Sequence, residues 1–76
     1  MPFFLYQRDD CCLCDQAIDI LASAGAPVFS SVWIDGDDEL ERRYGMRVPV
    51  LLDSEHAREL DWPFDAASVR AFFTAR

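Results

Sequence analysis

Hydrophobic residues recur along this chain with two different periods, and the switches between them mark the elements. Phe3-Phe4-Leu5-Tyr6 is an unbroken apolar and aromatic run, the pattern of a central strand covered on both faces. The polar stretch Gln7 to Asp10 ends it. From Leu13 the period becomes helical: Leu13, Ala17, Ile20, Leu21 and Ala24 fall on one side, with Asp15, Gln16, Asp19 and Ser23 on the other. Gly25, followed by Pro27, stops that helix. Val28 to Ile34 is rich in β-branched and aromatic residues and predicts a second strand. Strand, helix and strand within about thirty residues form a βαβ unit, with parallel strands and a right-handed crossover.

The second half is punctuated as clearly. Asp35-Gly36-Asp37 predicts the cap of a short helix with acids in its first turn. Leu40 and Tyr44 share one face of it, and Asp38–Arg42 and Glu39–Arg43 are spaced for i,i+4 ion pairs. Gly45 supplies the stop. Pro49 to Leu52 predicts a third strand, Asp53 to His56 a turn, and Ala57 to Leu60 a short strand completing a hairpin. Asp65 then caps a last helix whose buried stripe is Val69, Phe72 and Phe73. No repeat, low-complexity segment or linker interrupts the chain, so residues 1–76 are expected to form a single domain. The order β-α-β-α-β-β-α is that of an α/β domain, the undecorated core of a thioredoxin-like fold.

Composition narrows the function classes. With 76 residues there is room for one core, and a chain of this size buries only about 60% of its unfolded surface. It is 51% hydrophobic, 13% aromatic and 28% charged, the make-up of a packed domain rather than a disordered one. Fourteen acids face seven arginines, there is no lysine, and the formal net charge is −7. That argues against nucleic acid and anionic membrane partners, which need clustered basic residues. It also removes Schiff-base lysine chemistry. The apolar start, Met1 to Tyr6, is short and follows no basic region, so it is not a signal peptide, and no run is long enough to span a membrane. A cytoplasmic location is expected.

The chemistry concentrates in Cys11-Cys12-Leu13-Cys14, placed directly between the first strand and the first helix. An odd, local cluster of cysteines is a poor structural framework and reads as catalytic or metal-binding in a reducing compartment. Thiols three apart on a helical turn face the same way and lie close enough to form a small disulfide ring. Cys11 falls at the helix N-terminus, where unpaired N–H groups and the dipole favour a thiolate, the attacking species. Cys14, one turn inside, is placed to resolve the mixed disulfide. Asp9, Asp10 and Asp15 oppose the thiolate electrostatically, and Arg8 pulls the other way as a candidate modulator. Cys12 reads either as a small half-buried helical residue or as a spare thiol that tunes or protects Cys11. Zinc needs two more ligands than the pair supplies, and the only histidine, His56, lies in a predicted turn, so no metal site is assigned.

Tyr6, the Cys11-Cys12-Leu13-Cys14 motif with Asp15 and Ala17, Arg43-Tyr44-Gly45, Val48-Pro49-Val50 and Trp62-Pro63-Phe64-Asp65 together resemble the small glutaredoxin-like family of bacterial thioredoxin-fold proteins. The resemblance spans almost the whole chain. It implies a four-stranded mixed sheet and a cis peptide bond before Pro49, in a loop that faces the cysteine pair and offers backbone groups to a substrate. On that view Val48 supplies the pairing backbone, and Arg47 lies near the rim, where it could hold a substrate carboxylate. Glutaredoxins proper usually carry a basic residue just before the motif and a glycine pair after the last strand. Here Asp9-Asp10 precede the motif, and Asp65 already occupies a helix start that would otherwise welcome the carboxylate of glutathione. No tightly bound cofactor is expected, and glutathione use is in doubt.

The leading expectation is a monomeric thiol–disulfide oxidoreductase acting on a disulfide-containing protein or a small-molecule thiol. Two alternatives stand beside it. One is a metal or iron–sulfur carrier using the same thiols. The other is a non-catalytic interaction module that docks through its acidic face.

Overall fold

The computed structural model describes residues 2–74. In chain order its elements are β1 (Phe3–Gln7), α1 (Cys12–Ser23), β2 (Ser30–Trp33), α2 (Asp38–Tyr44), β3 (Val50–Asp53), β4 (Arg58–Asp61) and α3 (Ala66–Thr74). The sheet order is β2-β1-β3-β4. β1 pairs in parallel with β2, with Phe4 opposite Ser30, and antiparallel with β3, with Leu5 opposite Leu51. β3 and β4 close an antiparallel hairpin in which Leu51 faces Leu60. A mixed four-stranded sheet with three helices in this order is a thioredoxin-like fold.

The two faces of β1 explain why its apolar run is unbroken. Phe3, Leu5 and Gln7 point to one side, and Phe4 and Tyr6 to the other, because side chains alternate along a strand. On the first side Phe3, Leu5 and Leu51 pack with Ala17 and Leu21 of α1, Val69, Phe72 and Phe73 of α3, and Phe64. Phe3 meets Phe73 edge to face at 4.5 Å. On the second side Val50, Ile34 and Tyr44 are buried, with Tyr6, Leu40 and Val48 packed around them. There the Tyr6 and Tyr44 rings stack at 4.3 Å.

Helix ends are chemically defined. Gly25, at φ +69°, lets the chain turn left-handed after α1. Ala26 N–H then reaches Leu21 C=O at 3.1 Å and Gly25 N–H reaches Ala22 C=O at 3.2 Å, a Schellman closure. Asp37 caps α2 by accepting from Leu40 N–H at 3.1 Å. Asp65 caps α3, accepting from Ser68 N–H at 2.8 Å. The Ser68 backbone and hydroxyl bonds hold the Asp65 carboxyl below its ordinary value.

Several boundaries and pairs differ from expectation. β2 is shorter than 28–34: pairing with β1 begins at Ser30, while Val28 is 68% exposed and Phe29 turns onto the core. Arg42 meets Glu39 at 3.6 Å rather than Asp38. The guanidinium of Arg43 lies 5.4 Å from the Tyr44 ring centroid rather than on Glu39, because the aromatic face competes for it. Asp53, expected in a turn, is the fully buried last residue of β3. It accepts from Glu55 N–H at 3.1 Å, His56 N–H at 3.3 Å and Arg58 Nη2 at 3.0 Å, and His56 Nδ1 lies 3.0 Å away. Burial pushes this carboxyl up, but the bonds from Arg58 and His56 outweigh it, and the net direction is down. Arg58 also donates to Phe72 C=O at 3.0 Å, tying the hairpin to α3.

Candidate active site

The chain leaves the sheet at Gln7 and reaches α1 through four residues that are held at several points. Asp10 adopts φ +52°, a left-handed turn that Asp tolerates better than most residues. Asp9 N–H donates to Asp35 Oδ2 at 2.8 Å, fixing this loop to the one before α2. Arg8 makes a two-pronged pair with Glu41, at 2.8 and 2.7 Å, and donates to Gly45 C=O at 3.2 Å. Asp35 lies 3.7 Å from the same guanidinium. Gly45 is needed here for space: a Cβ would run into the Glu41 carbonyl oxygen and crowd the Arg8–Glu41 pair. Arg8, read from sequence as a modulator of Cys11, therefore acts as a staple between the cysteine loop and α2, its charge balanced by its own carboxylate partners.

Cys11 is the N-cap of α1, with extended backbone at φ −116°, ψ 105°. Its Sγ accepts from Cys14 N–H at 3.1 Å, the place a capping oxygen normally takes. Its carbonyl accepts the first helical bond, from Asp15 N–H at 3.1 Å. Cys11 and Cys14 are joined as a disulfide, with their Cα atoms 5.2 Å apart. The two sulfurs differ in access. Cys14 is 1% exposed, on the stripe with Ala17 and Leu21, whereas Cys11 is only half-buried. Cys12 is a free, exposed cysteine, which corrects the half-buried expectation. As the first residue of α1 it lies off the inward stripe of Cys14, Ala17 and Leu21.

Register brings the proline loop to the same end of the sheet. Tyr6 pairs with Val50, so Pro49, the residue before Val50, lies at the end of the sheet where the cysteine loop leaves. The Val48–Pro49 peptide bond is cis, as is Trp62–Pro63. Pro49 is buried and Val48 half-buried. Val48 N–H donates to Tyr44 C=O at 3.0 Å, so α2 holds this loop too.

The family resemblance puts Arg47 at a rim, open to a substrate carboxylate. The structure instead puts its guanidinium on two carboxylates of β4, Glu59 at 2.5 Å and Asp61 at 2.6 Å, and 5.3 Å from the Tyr44 ring centroid. Tyr44 Oη donates to the other Glu59 oxygen at 2.9 Å. The Arg47 bond keeps the Glu59 carboxyl below its ordinary range. Burial, then the Glu59 bond, pushes the Tyr44 phenol up. Arg47 is thus a clamp between the proline loop and β4.

Sequence reasoning missed Gln7, grouped with the polar residues that end β1. It is 3% exposed, and its Nε2 has no hydrogen-bond partner among the described residues. The signal was present in the strand period, since Phe3, Leu5 and Gln7 alternate inward. Among the described residues, no group of three or more His, Cys, Asp or Glu side chains gathers where a metal ion would sit.

Known proteins place this arrangement. The glutaredoxin-like domain family model (DUF836) matches residues 3–74. The X-ray structure of target protein XcR50 from X. campestris is similar, with 59% identity, 97% of each chain covered and a TM-score of 0.93. Its solution structure gives a TM-score of 0.92 at the same identity of 59%, over 100% of this chain and 96% of that one. Protein Ne2328 from Nitrosomonas europaea, also solved in solution, is 30% identical over 92% of this chain and 87% of its own, with a TM-score of 0.77. No curated protein matches. With 72 consecutive residues under one family model and the Cys11–Cys14 pair at its helix start, the chain belongs to the glutaredoxin-like domain family.

Proposed function

We propose that the chain is a thiol–disulfide oxidoreductase in which Cys11 attacks and Cys14 resolves. The observation that carries this reading is the asymmetry of the pair: Cys11 caps α1 with its sulfur 3.1 Å from an N–H donor, while Cys14 is 1% exposed. A donor at that distance, together with the helix terminus, favours a thiolate on Cys11 when the pair is reduced. The Cys11 thiolate attacks one sulfur of a substrate disulfide, forming a mixed disulfide and releasing the first substrate thiolate, which takes up a proton. Cys14, losing its proton, then attacks Cys11 Sγ. The second substrate thiol departs, and the Cys11–Cys14 bond is formed. Two electrons pass to the substrate, and an external thiol must return them.

Val48 and cis-Pro49, at the same end of the sheet as the pair, serve in this reading as the substrate-docking backbone. Because Val48 N–H is held by Tyr44 C=O, the group it offers is its carbonyl. Arg47, committed to Glu59 and Asp61, is assigned no docking role in this reading. The occupied start of α3, where Asp65 accepts two bonds from Ser68, supports a protein or small-molecule disulfide over glutathione as substrate. No helix of the described residues is long and apolar enough to cross a membrane, and we place the reaction in a reducing, cytoplasmic setting.

Trapping the intermediate tests the assignment. Reduced Cys14→Ser, mixed with a peptide carrying an aromatic leaving-group disulfide, should accumulate a Cys11-linked mixed disulfide visible by mass spectrometry. Cys11→Ser should accumulate none on Cys14. Equal trapping on Cys14 would reject the attacking and resolving roles of the two cysteines.

A further inference from the structure

Among the described residues, Gln7 is the one buried side chain in the redox half of the molecule whose polar atom has been left without a partner. It is 3% exposed, and its Nε2 makes no hydrogen bond. The other buried side-chain atom without a partner among the described residues, Arg58 Nε, belongs to a guanidinium already held through Nη2 by Asp53 and Phe72 C=O, whereas no hydrogen bond holds the Gln7 amide nitrogen. An orphaned amide in such an interior calls for an acceptor that exists in another state of the protein.

The fold says where that acceptor lies. Gln7 continues the inward face of Phe3 and Leu5, which packs under Ala17 and Leu21 of α1. In a βαβ unit the helix runs back along the strand, so its first turn lies over the strand's last residue. Cys14 is the buried residue of the first turn of α1, on the same stripe as Ala17 and Leu21, and this topology sets that turn over the Gln7 end of β1. Pro49 precedes Val50, the β3 partner of Tyr6, and so enters the sheet at this same end. In the disulfide form Cys14 Sγ is bonded to Cys11 and is a weak acceptor. Reduction turns it into a buried thiolate or thiol that needs a donor.

We propose that Gln7 is a positioning residue for the redox reaction: its side-chain N–H donates to Cys14 Sγ once the Cys11–Cys14 bond opens, and thereby stabilises the dithiol form. This rests on the exchange reading of the cysteine pair. In the reductive direction an attacking dithiol bonds to Cys11 Sγ and displaces Cys14 as a thiolate, which takes up a proton. The second thiol of the reductant then releases Cys11 and closes its own disulfide, so two electrons and two protons enter the protein. Gln7 acts on the leaving thiolate in the first of these steps.

The test is the redox equilibrium of Gln7→Met and Gln7→Leu against dithiothreitol, read by thiol trapping beside the unaltered protein. Both variants keep the site apolar and remove the donor. Each should move the equilibrium about tenfold toward the disulfide, a potential lower by about 30 mV. Urea unfolding of the oxidised forms should show no loss of stability. A purely structural Gln7 would weaken both redox forms alike, so an equilibrium within twofold of the unaltered protein in either variant overturns the proposal. If the unaltered protein shows no reversible two-electron transition, the exchange reading itself fails, and this inference with it.

Discussion

Leu51→Ala removes three carbons from the middle of β3, the strand that carries the proline loop. Leu51 is fully buried, with Leu5 opposite on one side and Leu60 on the other, inside the layer shared with α1 and α3. At about 0.8 kcal/mol per buried methylene the transfer term alone is about 2.4 kcal/mol. The neighbours come from two strands and two helices and cannot all close the gap, so a cavity term brings the expected loss to about 3–4 kcal/mol. A domain of 76 residues holds only about 4–11 kcal/mol in all. The variant should therefore unfold at a melting temperature lower by about 15–25 °C. Leu13→Ala, at a position 43% exposed, should cost less than about 0.5 kcal/mol. Urea unfolding followed by far-ultraviolet circular dichroism measures both. A loss below about 1 kcal/mol for Leu51→Ala, or equal losses for the two leucines, would refute the assignment of the core.

Acid and access give two further tests. The carboxyls of Asp53, Glu59 and Asp65 are all held below their ordinary values of 3.8, 4.5 and 3.8. The unfolded chain then takes up protons first on acidification, so the stability these groups contribute is complete above the ordinary values and lost as pH falls below them. The urea midpoint should drop between about pH 5 and pH 3. Acid also relieves the net charge of −7, which acts in the opposite direction, so a midpoint rising on acidification would show that these bonds are not what holds the hairpin and α3. In the reduced protein iodoacetamide should modify exposed Cys12 and half-buried Cys11 first, with Cys14, at 1% exposure, at least about tenfold slower by peptide mass spectrometry. Equal rates at Cys11 and Cys14 would contradict the access argument.

What was legible in the sequence is local. The 3.6-residue stripe of α1, the glycine that ends it, the aspartates that cap α2 and α3, and the thiol at a helix start all act within a turn or two, where residue type decides conformation. So the element order and the Cys11–Cys14 pair follow from neighbouring residues, whereas the four-stranded mixed sheet is implied by the family resemblance. The partners of Arg8 and Arg47 do not. Arg8 bonds Glu41 across 33 positions, and Arg47 bonds Glu59 and Asp61 across 12 and 14. With fourteen acids in the chain, nothing in the order of residues says which of them an arginine will meet. Asp53 reads as a turn residue because an acid beside Ser54 and Glu55 looks like one. Its burial is made tolerable by Arg58, brought alongside by the hairpin, together with the backbone N–H groups of Glu55 and His56. Gln7 is hidden for the complementary reason: a polar residue at a strand end looks solvated until the helix above it is known.

The central claim is dithiol–disulfide exchange at Cys11 and Cys14, and one titration bears on it most directly. The protein is equilibrated over a series of dithiothreitol buffers, the thiols are trapped, and the fraction oxidised is read by mass spectrometry. The account predicts a single two-electron transition between roughly −180 and −270 mV, abolished in Cys11→Ser and in Cys14→Ser. A protein that shows no reversible pair, or one that keeps the transition when either cysteine is replaced, would contradict it.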